Sequence, residues 1–428
     1  MNGRAPAITG MGMISSLASS LDDHWDRVLQ RATGIRELGG ENVPRALRYA
    51  GRVVDDALPP DTPPEVVKQR RLISPSSRLG LRAVDEAMRG SGLDMLQISP
   101  ARRALYIGAA DNSKAGLRDF YPALREAGVG ARDAVDAERV NRNTLHTVDP
   151  FFLLESLTNN LVAFVSLRYQ LQGPNTTLAS HSPCGGQALE LAARSLLQEE
   201  ADVAVVVGTC VWSAFLSLFE LDGLGLLSQC REGSSSFRPF DGKRDGFIVG
   251  DGAVAIVLEP LARARARGAR VLGFIESAAS FTEASATVSL GASVETVTRT
   301  LTTALEEAGL RPRDLAFISP HGSGTRKGDR VELSAIAKLL DSDRSATPIS
   351  GMKPYTGHMG AASDLGEIAL ALTALGRGLA PATLNFRTPD AGFEGIDIVT
   401  AHRPVTARHV LSMSQGFGGQ SLAIVVSV

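Results

Sequence analysis

Short apolar runs alternate along this chain with longer amphipathic ones. AVAIVLE (253–259), ADVAVVVGTC (201–210), LAFIS (315–319) and LAIVVSV (422–428) are brief and apolar almost throughout. Runs of that kind read as strands buried on both faces. Between and around them lie helix-like patterns: SRLGLRAVDEAMRGSG (77–92), QALELAARSLLQE (187–199), VETVTRTLTTALEEAG (294–309) and EIALALTALGRG (367–378). Strands alternating with helices predict an α/β fold with a largely buried sheet. GFIVGDGAVAIVLE (246–259) and GFGGQSLAIVVSV (416–428) both run from Gly-Phe through a Gly-rich bend into a terminal strand. This echo suggests two related halves dividing near 260–270, read here as 1–262 and 263–428. The stretch 113–149 is polar, Arg- and Asp-rich and poorly periodic. It reads as a lid or interface insertion, or as a long surface excursion.

Composition narrows the function. The 428 residues are 44% apolar and 21% charged, enough for a large globular core. A formal net charge of −2 gives no reason to expect nucleic-acid binding. ARARARGAR (262–270) reads as a solvated helix face, and KQRR (68–71) taken alone as a solvated cluster. Three cysteines without a CxxC pair suggest reduced thiols and a cytoplasmic home. The seven histidines show no zinc-type spacing, so no metal is expected. MNGRAPAITGMG lacks the apolar core of a signal peptide. No run of 18 apolar residues is present, so no membrane span is expected.

Three stretches carry chemistry together. SHSPCGG (180–186) sits where a strand turns into a helix and offers two nucleophiles, Ser182 and Cys184. SPHGSGTRKGD (319–329) places His321 after a strand, in a Gly-rich loop. GMKPYTGHMGAA (351–362) sets Lys353 and His358 five apart around a Pro-Tyr-Thr-Gly turn.

With these motifs the chain resembles the β-ketoacyl-ACP synthases of the elongating, synthase II type. The resemblance runs through AITGMGMISSLA (7–18), DPFFLLESLTNNLVAFVSLRYQLQGPNTT (149–177), FRPFDGKRDGFIVGDGAVAIVLE (237–259), HGSGTRKGDRVE (321–332), KPYTGHMGAA (353–362) and GFGGQSLAIVV (416–426). It implies the thiolase fold, with two pseudo-symmetric α/β halves in a five-layered αβαβα unit. It implies His321 and His358 as catalytic histidines, with Lys353 and Glu367 as the supporting lysine and its buried carboxylate partner. The family reads Thr-Ala-Cys-x-Ser-Gly at the nucleophile. Aligned without a gap from Gly173-Pro174, Ser182 takes the cysteine's place and Cys184 the serine's. Pro183 then suits the first helical turn. The backbone N–H groups of Ser182 and Gln415 would form the oxyanion hole. Gln415 falls where the family has a phenylalanine gate, Phe417 matches the phenylalanine two residues on, and Phe247 is assigned to the same pocket. Lys68, Arg70 and Arg71 become candidates for docking an acidic acyl carrier protein. A dimer is implied, either of identical chains or with a Cys-containing ketosynthase. No prosthetic cofactor is implied, because phosphopantetheine arrives on the carrier or CoA thioester.

Serine changes the chemistry. A thiol of pKa about 8.5 can be ionised by a helix N-terminus or a nearby cation. A hydroxyl needs a base within hydrogen-bond reach, for which His321 and His358 are the candidates. Three outcomes follow: acyl transfer through Ser182, decarboxylation of a malonyl thioester without acylation, or a chain-length-factor-like partner subunit. The retained histidines favour the first two. Cys184, two residues further round the helix, points elsewhere and reads as a small buried side chain. An unrelated acyl hydrolase is disfavoured, since no GxSxG elbow surrounds Ser182.

Overall fold

The computed structural model describes residues 3–428 apart from 41, 56, 111–116, 128–135, 285–290, 342–343 and 345–346. Its frame is a nine-stranded sheet. The strands in chain order are β1 (Pro6–Ser15), β2 (Arg103–Ala109), β3 (Asn175–Ala179), β4 (Val203–Val211), β5 (Asp251–Pro260), β6 (Gly273–Thr282), β7 (Phe317–Ser319), β8 (His409–Gln415) and β9 (Gln420–Ser427). Their spatial order is β3-β2-β4-β5-β1-β6-β9-β8-β7. The apolar runs became central strands because side chains on both faces are covered. Every residue of β1 and β2 is buried.

The sheet is two copies of one pattern. From the outer edge inward, β3–β2 and β2–β4 pair parallel, then β4–β5 and β5–β1 antiparallel. On the other side Ile349 bridges β7 in parallel and β7–β8 pair parallel. The pairs β8–β9 and β9–β6 then run antiparallel. In the sheet the copies join where Ala7 and Ile8 of β1 face Phe274 and Gly273 of β6.

Five principal helices complete the layers: α1 (Pro75–Ser91), α2 (Cys184–Leu197), α3 (Val294–Ala308), α4 (Arg326–Leu340) and α5 (Ala361–Gly376). α1 covers the outer face of β1, β5 and β4, while α3 packs on β6 and β9 and carries α4. α2 and α5 touch each other and lie between the two sheet halves, against β2 and β4 on one side and β8 on the other. The order is therefore helix, sheet, helix pair, sheet, helix. α5 is buried along almost its whole length, as a helix sandwiched between two sheets must be.

Local signals set the outer helices. Ser74 and Ser293 cap α1 and α3 by accepting from Ser77 N and Thr296 N, and Gly92 and Gly309 end them at φ 60 and 66. The central pair depends on glycine. A Cβ on Gly185 would lie 2.0 Å from the Ala361 carbonyl oxygen, so only glycine lets α2 and α5 cross this closely.

Two expectations change here. The arginines of 262–270 are only partly a solvated face, because Arg263 and Arg267 reach back to Glu259, a carboxylate fully buried at the end of β5. A buried charge must be paired, and these arginines pair it. Of the 113–149 segment, 113–116 and 128–135 lie outside the described residues; the rest includes helices Leu117–Glu126 and Ala137–Thr147.

Candidate active site

β3 delivers the chain into α2 through residues 180–183. Ser182 is buried at this turn. Its hydroxyl donates to Asp364 Oδ1 at 3.0 Å and lies 3.4 Å from the Gly360 carbonyl. Cys184 points the other way, its Sγ 3.0 Å from the Ser180 carbonyl, and is fully buried. Pro183 stands one position earlier than expected, as the N-cap of α2 rather than inside its first turn. A proline cap has no side-chain oxygen for the first amides of the helix. Asp364, on α5, supplies one: its Oδ2 accepts from Gly185 N at 3.2 Å. Ser414 donates to Oδ1 of the same carboxylate at 2.6 Å. Burial pushes the Asp364 carboxyl up to about 6, against the pull of Ser414, Lys353, Ser182 and the Gly186 amide.

His321 follows β7. Its loop is pinned by Glu332 of α4, whose carboxyl accepts from His321 N at 2.5 Å and Gly322 N at 2.9 Å. Burial, with Asp329 close by, pushes Glu332 up to about 8. His358 follows the short helix Lys353–Thr356 and a glycine at φ 84. Its Nδ1 accepts from Gly360 N at 3.1 Å, which leaves the proton of the neutral ring on Nε2. The two imidazole centroids lie 5.2 Å apart. Burial first, then the Lys353 ammonium, holds both rings well below the ordinary histidine range, so both are neutral at pH 7.

Lys353 and Glu367 form the expected pair, buried, with Nζ 2.9 Å from each carboxylate oxygen. Burial drives Glu367 up to about 7 while Lys353 pulls it down. The pair lies beneath the site and does not line it.

A cavity of about 550 Å³ opens in front of these groups. Ser182, His321, His358, Gln415, Phe417 and Phe247 all line it. The 415–416 segment is pressed against the turn, because a Cβ on Gly416 would sit 1.7 Å from the Ser182 carbonyl oxygen. Phe247 lies tilted against the His358 ring, with the centroids 4.9 Å apart. Lys68, Arg70 and Arg71 are exposed and lie outside this lining, and Arg71 sits 5.3 Å above the Phe151 ring.

Four functional neighbours escaped the sequence reading. His181 lies edge-on between Trp212 and Phe417, at 5.4 and 5.3 Å, and lines the cavity together with Trp212. Asp364 and Glu332 are buried carboxylates within apolar helix patterns, which is the one sign the sequence offers for them.

Family models match most of the chain: "Beta-ketoacyl synthase, N-terminal domain" over residues 5–264 and "Beta-ketoacyl synthase, C-terminal domain" over 272–387. The 3-oxoacyl-(acyl-carrier-protein) synthase 2 of Coxiella burnetii is 26% identical over 100% of this chain and 99% of its own length. The ketoacyl synthase alpha subunit of the tetracenomycin polyketide synthase from Streptomyces glaucescens is 28% identical over 98% and 96%. Among solved structures, a β-ketoacyl synthase from Burkholderia phymatum superposes with a TM-score of 0.82 at 25% identity, covering 99% of both chains. A type II polyketide ketosynthase in complex with its acyl-carrier protein gives a TM-score of 0.86 at 22% identity, again over 99% of both. With two matching halves, and with the layered fold of those structures, the chain belongs to the β-ketoacyl synthase family of the thiolase superfamily.

Proposed function

We propose that this chain is a ketosynthase-like acyltransferase that takes acyl groups from carrier-protein or CoA thioesters onto Ser182. One observation carries the reading: Ser182 and two neutral imidazoles line the same cavity. A neutral imidazole with its proton on Nε2 can donate to a thioester carbonyl. Such a donor stabilises the oxyanion of acyl transfer and the enolate left by decarboxylation alike. Lys353 adds positive charge beside both rings and favours developing negative charge. The backbone amides of Ser182 and Gln415 are the proposed oxyanion donors for the serine ester. Phosphopantetheine comes with the substrate, and no resident cofactor is invoked.

A second reading is a partner subunit or a decarboxylase that forms no acyl-enzyme. The observation favouring it is that the Ser182 hydroxyl is hydrogen-bonded to Asp364, not to either histidine. Intact mass after mixing with a panel of acyl thioesters separates the two. The expected result is an adduct in the wild type and Cys184→Ala that is absent in Ser182→Ala. No adduct with any thioester would reject acyl transfer and leave the second reading.

The partners follow from the same proposal. Among the described residues β3 is an edge strand of the sheet, ending three residues before Ser182, and such an edge is a template for a second chain. Phe151, Leu153, Leu154 and Leu157 are exposed, as on a surface that another subunit covers. Lys68, Arg70 and Arg71 are the proposed carrier-docking cluster. Lys68→Glu is the cleaner test of docking, because replacing Arg71 also removes its contact with Phe151. Carrier affinity at low salt should fall in Lys68→Glu, and an unchanged affinity would exclude that residue.

A further inference from the structure

We propose that Asp364 is the proton acceptor that activates Ser182, taking the part that sequence reasoning gave to a histidine. The inference rests on Ser182 being the acylated residue.

The geometry makes the assignment. Among the described residues the Ser182 hydroxyl hydrogen-bonds to one basic side chain, the Asp364 carboxylate, Oγ to Oδ1 3.0 Å. The alternatives are poorly disposed. Nδ1 of His358 is occupied by the Gly360 amide, so its Nε2 carries the ring proton and cannot accept another as a neutral base. The His321 ring makes no hydrogen bond to the serine among the described residues, and its burial opposes a positive charge.

The surroundings of Asp364 explain why a carboxylate stands there. In a cysteine enzyme the amides at the start of such a helix can favour a thiolate directly. A serine hydroxyl is far too weak an acid for that. Here the amides at the start of α2 hold the Asp364 carboxylate, through Gly185 N at 3.2 Å. The helix start fixes a base, and the base faces the hydroxyl. Ser414 holds the same oxygen from β8 at 2.6 Å. The charged neighbours are Lys353, which favours the carboxylate, and Glu367, which Lys353 engages. Burial offsets these contacts and lifts Asp364 to about 6, so it is ionised at pH 7 yet more basic than an exposed aspartate.

The step balances. Ser182 Oγ attacks the thioester carbonyl carbon as its proton passes to Asp364 Oδ1. The C–S bond breaks and its electron pair leaves with sulfur, which takes a proton from solvent. When the acyl group moves on to its acceptor nucleophile, the Asp364 proton returns to Ser182 Oγ.

The test measures the rate of acyl-enzyme formation by intact mass. It uses the full chain with acetyl- and octanoyl-pantetheine thioesters from pH 5 to 8. In the wild type the rate should rise through a midpoint near the Asp364 value and level off. Asp364→Asn should slow it about 100-fold or more and abolish the rise. Ser414→Ala removes a donor to the carboxylate, so the midpoint should move up. The same Asp364→Asn change in a Ser182→Cys background should leave acylation intact or faster, because a thiol needs no base and loses an adjacent negative charge. Undiminished acylation in Asp364→Asn, or equal loss in the serine and cysteine backgrounds, would overturn the base role and leave serine acylation standing. A wild type that forms no adduct while Ser182→Cys does would instead overturn the serine reading itself.

Discussion

At the scale of single residues, the site is governed by which polar groups burial leaves neutral. Both histidines are held well below their ordinary range, and His358 presents its proton on Nε2. His321→Ala and His358→Ala should each cost roughly 10²–10⁴ in acyl-transfer rate, the range for loss of a positioned donor or acid–base group. Near-full activity in both would remove them from the reaction. Because burial holds the His358 ring well below the ordinary histidine range, acylation should show no inflection near 6.5 that disappears in His358→Ala. A pH–rate series on the two proteins reads this directly. A polar residue at the cavity wall, beside Phe417 and Phe247, should tolerate polar acyl groups better than an aromatic one. Gln415→Phe is expected to lower the ratio of rates for polar over apolar thioesters of equal length, measured in competition.

At the scale of elements, the crossing of α2 and α5 sets the nucleophile and its neighbours at once. Gly185 is the contact point, with Ala361 O where its Cβ would lie. Gly185→Ala should destabilise the protein by about 1–3 kcal/mol, as overpacking at a rigid contact does. It should also slow Ser182 acylation, since Gly185 N holds Asp364. A urea midpoint and an acylation rate measured on one preparation check both. By contrast Ser74→Ala removes the cap of α1 on the outer layer, together with the hydroxyl contacts to Ser76 and Ser77. About 1 kcal/mol of stability should be lost with the acylation rate unchanged.

At the scale of the whole molecule, the buried carboxylates tie stability to pH. Glu332, Glu367 and Asp364 all have folded values above their unfolded ones, near 8, 7 and 6. The native state therefore binds more protons than the unfolded state between about pH 4.5 and 8, and the slope of unfolding free energy with pH is negative. The contribution is fully present below the unfolded values and is lost as pH rises through the folded ones. Thermal midpoints should fall from pH 5 to pH 8, and Glu332→Gln should flatten the upper part of that fall. The assembly is the other property of this scale. Sedimentation should give a particle of twice the 45.1 kDa chain, with the open edge of β3 at its interface. A monomer at micromolar concentration would refute pairing of identical chains through that edge.

The sequence determined what repeats and what is apolar. AVAIVLE and LAIVVSV could be read as strands because a short β-branched run covered on both faces has no other stable use. The echo between them is visible in the structure as two sheet halves with the same order of parallel and antiparallel pairs. His321, His358 and Lys353 stand out because Gly-rich turns beside apolar strands are rare places for such side chains, whereas Ser182 is separated from Cys184 only by the resemblance to the family's nucleophile motif. The helix starts were less legible. α2 begins at Cys184 and α5 at Ala361, earlier than the apolar periodicity indicates. Glycines and alanines read as loop until another helix lies against them. The tertiary structure alone decided the partners of the serine. Asp364 and Ser414 are 182 and 232 residues away from it, a separation no periodicity spans. They meet there because two helices cross at a glycine between two sheets, and only burial at that crossing makes an aspartate both basic enough and close enough to face Ser182.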